Sequence, residues 1–347
     1  PDEAIVLERN PHYWGRDAQG APLPYLDGVR ITMVPDKDKE VAEFIKGRLS
    51  MVTELSLETM GVLADTAAER PDGKHFQLLS VPALAVQYYG FNASRPPFND
   101  VRVRRAFSMA IDRNFLVDSV LHGLAVPAKH GLVAPGLRGY PYGLVQGPAF
   151  LPDSERKLLA AAGYPGGKGF PRIQLQVNND GFGYRQVAVA VQDMLMRELG
   201  VAVSVSLVSP KTYYDRIERG QALLWREGWV ADLPDPENFL SLLYGKNAAS
   251  DTSVASPMNT TRYNDPRFDT LYGLALTETN DSTRLNDLAR AEQIAMHDMP
   301  LAPLYHERYM VLVQPDVRGL EVNTLEQLEL REVWFERKGP QAPATKS

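Results

Sequence analysis

Apolar residues recur along this chain with two rhythms, a period of two and a period near 3.6, and the switches between them mark its elements. Ala4 to Glu8 and Val29 to Val34 alternate as strands, separated by a polar loop rich in Pro and Gly. From Lys39 to Lys46, Val41, Phe44 and Ile45 share one helical face. Gly47 stands where a left-handed cap is wanted, and Met51 to Thr53 reads as a short strand. A second helix is expected over Leu57 to Ala68, stopping before Pro71. Residues 77 to 92 read as extended, with Pro82 expected to bend the stretch or hold it at a sheet edge. Asn99-Asp100 then caps a helix that turns Val103, Phe107, Ala110 and Ile111 inward and sets Arg102, Arg104 and Arg105 on the other side.

Further along, the two rhythms alternate regularly. Asp153 is positioned to cap a helix from Ser154 to Ala162, and Ile173 to Val177 follows as a strand. Tyr184 to Leu199 is a helix closed by Gly200, and Val201 to Val208 is a strand. Ser209-Pro210 opens the next helix, Gly220 ends it, and Ala222 to Arg226 is a strand again. This alternation predicts an α/β fold with a largely parallel sheet. Ligands of such sheets sit beyond the carboxyl ends of the strands, which directs attention to the loop after Arg226. Helices are expected near Pro266 to Thr277 and Ser282 to His297, a strand over Leu304 to Val313, and a disordered tail over 338–347.

Composition narrows the chemistry. With 347 residues, 44% hydrophobic and 23% charged, there is enough chain for two lobes. The formal charge of −6 is spread among interspersed ions, so no basic stripe offers itself to nucleic acid. There is no cysteine, which removes thiol nucleophiles, disulfides and thiolate metal sites. The six histidines show no metal-ligand spacing, no apolar run is long enough to span a bilayer, and no cofactor motif occurs. Gly166-Gly167-Lys168-Gly169 lacks the spacing and the Ser/Thr of a P-loop.

Several motifs occur in a fixed order across nearly the whole chain. They are Leu7-Glu8-Arg9-Asn10-Pro11-His12-Tyr13-Trp14, Tyr25-Leu26-Asp27-Gly28-Val29, Pro96-Pro97-Phe98-Asn99-Asp100-Val101-Arg102-Val103-Arg104, Gly228-Trp229-Val230-Ala231-Asp232, Tyr263-Asn264-Asp265-Pro266-Arg267-Phe268-Asp269 and Pro303-Leu304-Tyr305. In this the chain resembles the family 5 extracellular solute-binding proteins, the dipeptide- and oligopeptide-binding components of ABC importers. The resemblance implies a periplasmic-binding-protein-like α/β fold of type II, or cluster C, with two lobes joined by hinge strands. Residues 1–90 with 304–337 would form part of lobe I, and 91–303 lobe III. The first motif lies well inside the family's proteins, so lobe I is expected to be incomplete here.

The resemblance also implies site residues. Asp232 would pair with a peptide's α-amino group, Trp229 would wall a side-chain pocket beside Gly228, and Arg226 would meet the terminal carboxylate. Tyr89, in the strand crossing between lobes, would face ligand. From the residues alone, Asp232 and Asp235 also suit turns before Pro234 and Pro236, and Glu227 offers Arg226 a neighbouring partner. Implied partners are a peptide and a membrane permease, in a periplasmic or extracellular monomer without cofactor or metal and without catalysis. Two alternatives stay open: a non-peptide ligand (nickel complex, oligosaccharide, opine), or a hydrolase using Asp232 with Glu227 or Asp235 as a carboxylate pair.

Overall fold

The computed structural model describes residues 4–53, 55, 76–178, 183–249, 251 and 254–336. The helix expected over Leu57 to Ala68 and the tail over 338–347 lie outside them. The chain forms two compact units, Pro1–Val81 with Tyr309–Ser347, and Pro82–Arg308.

In the first unit, β1 (Ala4–Glu8) pairs antiparallel with β2 (Gly28–Thr32), Ala4 opposite Thr32 and Glu8 opposite Gly28. Asp36 caps α1 (Lys37–Ile45) by accepting from the Lys39 amide at 3.0 Å, and α1 buries Val41 and Phe44. The short β3 (Met51–Val52) pairs with Leu312 and Val313. A small core of Val311, Val313, Val317 and Val333 completes the unit, with Leu26 and Leu79 packed against it.

The second unit is built on a twisted mixed sheet. Its strands are β4 (Gln77–Phe91), which enters from the first unit, β5 (Ala125–Pro127), β6 (Ile173–Asn178), β7 (Val203–Val208), β8 (Leu224–Val230) and β9 (Leu301–Val313). They are ordered β9-β4-β8-β6-β7, with β5 on β9. Strand β6 runs parallel to β7 and β8, whereas β4 lies antiparallel to β8 and β5 antiparallel to β9. The sheet is therefore less parallel than the helix–strand alternation suggested, because β4 and β9 are long connecting passes rather than members of βαβ units.

Pro82 does not interrupt β4, which stays extended for 15 residues. Pairing with β8 begins only near Leu84, whose carbonyl receives the Ala231 amide at 2.8 Å, so the missing amide of Pro82 is not needed on that edge. Helix α2 (Val101–Met109) starts at Asp100, whose carboxylate accepts from the Arg102 amide at 2.8 Å. Val103, Phe107, Ala110 and Ile111 are buried as expected, but so is Arg104. Its guanidinium donates to the carbonyls of Phe98, Asp298 and Met299, so it ties loop ends together instead of facing solvent.

Helix α3 (Pro152–Ala161) begins one residue before Asp153, which does not cap it; Pro152 occupies the first turn, where a missing amide costs nothing. Helix α4 (Tyr184–Leu199) has the bounds its periodicity predicts, and Gly200 closes it at φ +67°. It is followed by α5 (Pro210–Glu218), α6 (Pro266–Ala275) and α7 (Asp281–Asp298). Among the described residues no helix is long and apolar enough to cross a membrane.

Candidate functional site

Strand β8 continues beyond Arg226 to Val230, and its pairing with β4 decides what each side chain can meet. Directly opposite are Gln87 and Gly228, Tyr88 and Glu227, Tyr89 and Arg226. Since side chains alternate across a strand, Gln87, Tyr89, Arg226 and Gly228 share one face, and Tyr88, Trp225, Glu227 and Trp229 share the other.

On the first face, Arg226 is 8% exposed. Its Nη1 donates to Asn178 Oδ1 at 3.1 Å, at the end of β6, and its Nη2 donates to Gln87 Oε1. The guanidinium carbon lies 3.3 Å from the centre of the Tyr184 ring, on the first turn of α4, a cation–π stack. Gln87 Nε2 in turn donates to Glu307 Oε1 at 2.7 Å, so an amide separates the cation from that carboxylate. Among the described residues Arg226 has no carboxylate within ion-pair distance, and its buried Nε has no hydrogen-bond partner. The Tyr89 hydroxyl is also buried without a partner. Burial holds the Tyr89 phenol protonated to well above its ordinary range, partly offset by Arg226, so it remains a donor. Burial likewise raises the Glu307 carboxyl, while Arg226 and the Gln87 amide pull it back down.

Glu227 is not the partner of Arg226 that adjacency suggested. It points to the opposite face, where its carboxylate accepts from Trp225 Nε1 at 2.8 Å and from Thr260 Oγ1 at 2.9 Å. Burial raises its pKa, and the hydrogen bonds from Trp225, Thr260 and Tyr88 oppose the rise. Trp229 is half-buried on this second face, its Nε1 donating to Asn238 Oδ1 at 2.7 Å, which fixes the loop that follows β8. Gly228 faces the Gln87 head group: a Cβ there would stand 2.6 Å from Gln87 Nε2 and Oε1.

Past the strand, the two aspartates separate in role. Asp235 caps the short helix Pro236–Leu240 through the Glu237 amide at 2.8 Å, and both its oxygens meet Arg284 at 2.8 and 2.9 Å. That is the turn-holding role. Asp232 is exposed, and among the described residues its carboxylate takes no hydrogen bond or ion pair. The structure thus gathers Arg226, Tyr89 and Gly228, sets Trp229 on the reverse face, and leaves Asp232 uncommitted beyond the strand end. It adds Gln87, Asn178, Tyr184 and Glu307, which the sequence reading did not select. A glutamine inside the apolar run Ala83–Phe91 was the available signal, since a buried polar side chain in a strand needs partners. Among the described residues no group of three or more His, Asp or Glu is placed to hold a metal ion.

Residues 1–251 match the family model described as "Bacterial extracellular solute-binding proteins, family 5 Middle". The oligopeptide-binding protein OppA of Bacillus subtilis is 27% identical over 96% of this chain and 58% of its own length. The periplasmic murein peptide-binding protein MppA of Escherichia coli is 31% identical over 94% of this chain and 57% of its own. The solved structure of the Helicobacter pylori periplasmic binding protein DppA, in complex with peptide STSA, superposes with a TM-score of 0.76 at 25% identity, covering 97% of this chain and 61% of that one. The chain therefore spans less than two thirds of the length of these relatives. The match of fold, of motif order and of the family model over most of the chain places this protein among the family 5 bacterial extracellular solute-binding proteins.

Proposed function

We propose that this chain carries the ligand-binding residues of an extracytoplasmic receptor that captures a peptide or peptide-like solute and passes it to a membrane permease. Arg226 takes the terminal carboxylate and Asp232 takes the α-amino group, whereas Trp229, on the reverse face, fixes the loop that carries Asp232. The observation that carries the reading is the state of Arg226. A buried guanidinium whose nearest acceptors are neutral amides, with its Nε idle, is electrostatically incomplete, and a carboxylate is the anion whose geometry suits its planar fork. Asp232, unlike Asp235, is free for a cationic group. No covalent step is involved. Asp235 is already held by Arg284 and a helix cap, which leaves a hydrolase without that half of a carboxylate pair.

Calorimetry of the full-length protein with tri-alanine, its N-acetyl form and its C-terminal amide tests this. The free peptide should bind best. Asp232→Asn should weaken binding of the free amine by about 1 kcal/mol, the scale for a pair at an exposed carboxylate, and change the N-acetyl form little. Equal affinity for all three peptides would refute the reading.

A further inference from the structure

We propose that Gln87 is a positioning residue for ligand capture: it keeps Glu307 from pairing with Arg226, so that the guanidinium stays available to an incoming carboxylate. This rests on the reading of Arg226 as the carboxylate anchor.

Three observations support it. First, the direction of the amide is fixed by its partners. Oε1 accepts from the Arg226 cation and Nε2 donates to the Glu307 carboxylate, and the flipped amide would place donor against donor and acceptor against acceptor. A glutamine is suited to stand between opposite charges because it offers each the complementary group. Second, space is reserved for it. Gln87 is buried, and the residue opposite is Gly228, where a Cβ would collide with the amide head. Third, the separated charges already feel each other. Arg226 lowers the pKa of the Glu307 carboxyl against the upward push of burial. With the spacer removed, the Glu307 carboxylate could swing in to pair with Arg226 in a low-dielectric setting, and ligand would then have to displace an internal carboxylate. Asn178 and the Tyr184 ring hold the other sides of the guanidinium, so removing Gln87 changes which acceptor Arg226 meets more than where it lies.

The test compares tri-alanine with its C-terminal amide on the full-length protein, as wild type, Gln87→Ala and Gln87→Ala/Glu307→Gln. Wild type should prefer the free acid. Gln87→Ala should weaken the free acid by about tenfold or more, the scale of one hydrogen bond to a charged group, and change the amide little. The added Glu307→Gln should restore preference for the acid, because the competing carboxylate is gone. A merely structural glutamine would give equal losses for both peptides and no rescue, and that result would overturn the proposal. If wild type itself fails to distinguish acid from amide, the anchor reading falls, and this inference with it; if wild type distinguishes them and Gln87→Ala does so equally well, only this inference falls. Should Gln87→Ala not fold, Gln87→Met keeps the bulk without the amide and serves in its place.

Discussion

Glu292 lies buried on α7, where its carboxylate accepts from the amides of Leu132 and Val133 at 2.7 and 2.9 Å and from the Tyr140 hydroxyl at 2.5 Å. Burial lifts its pKa from the ordinary 4.5 to about 7, against the pull of those three donors. The sign of the pH effect follows. Between these values the folded chain holds a proton that the unfolded chain has lost, so stability falls as pH rises from 4.5 toward 7 and then levels off. The change from this one group is on the order of 3 kcal/mol. Denaturant titrations across that window should show the decline, and Glu292→Gln, which keeps an acceptor for the amides and can donate to Tyr140, should flatten it. A second expectation concerns Gly90, where a Cβ would stand 2.5 Å from the Trp225 ring. Gly90→Ala should lose roughly 1–3 kcal/mol of unfolding free energy, the range for overpacking a core. Neither residue stands out in the sequence. Glu292 reads as one more charge on an amphipathic helix, and Gly90 as a weak point in a strand, because what surrounds each is supplied from more than a hundred residues away.

Elements were legible where the signal is local. Asp100, Asp265 and Asn280 each accept from amides of the helix they precede, and Asp100 was identified from its place before an apolar period. Asp265→Ala should cost about 1 kcal/mol, read as a shift of the urea midpoint at constant slope. Helix α4 kept its predicted ends because Gly200 supplies the left-handed residue that stops it. Strand ends were read less well. The Gly228-Trp229 pair resembles a loop by composition, yet both residues lie within β8, since the ladder from Ala85 to Phe91 extends that far. The face assignments inside that ladder follow from register alone, and register is set by a partner strand that local sequence does not reveal. Arg226 was selected through the family resemblance, while its pairing with Gln87 and Asn178, 139 and 48 residues away, rests on that register and was not read, although the lone glutamine in an apolar strand was a signal for Gln87.

For the molecule as a whole, a ligand that binds only the folded state should raise its apparent stability. At a hundredfold excess over Kd the gain is about 2.7 kcal/mol, so the thermal midpoint should climb with peptide concentration. Scanning calorimetry should record that climb with free tri-alanine and a smaller one, or none, once both ends are blocked. The division of the chain has a further result. Residues 82–308 form one uninterrupted stretch, entering on β4 and leaving on β9, which are neighbours in the sheet. Gln87, Tyr89, Asn178, Tyr184, Arg226, Gly228 and Glu307 all come from it. The polar cluster around Arg226 is thus encoded by one continuous run of the chain that enters and leaves on adjacent strands, so a single cut-and-paste of sequence would carry all of its members together.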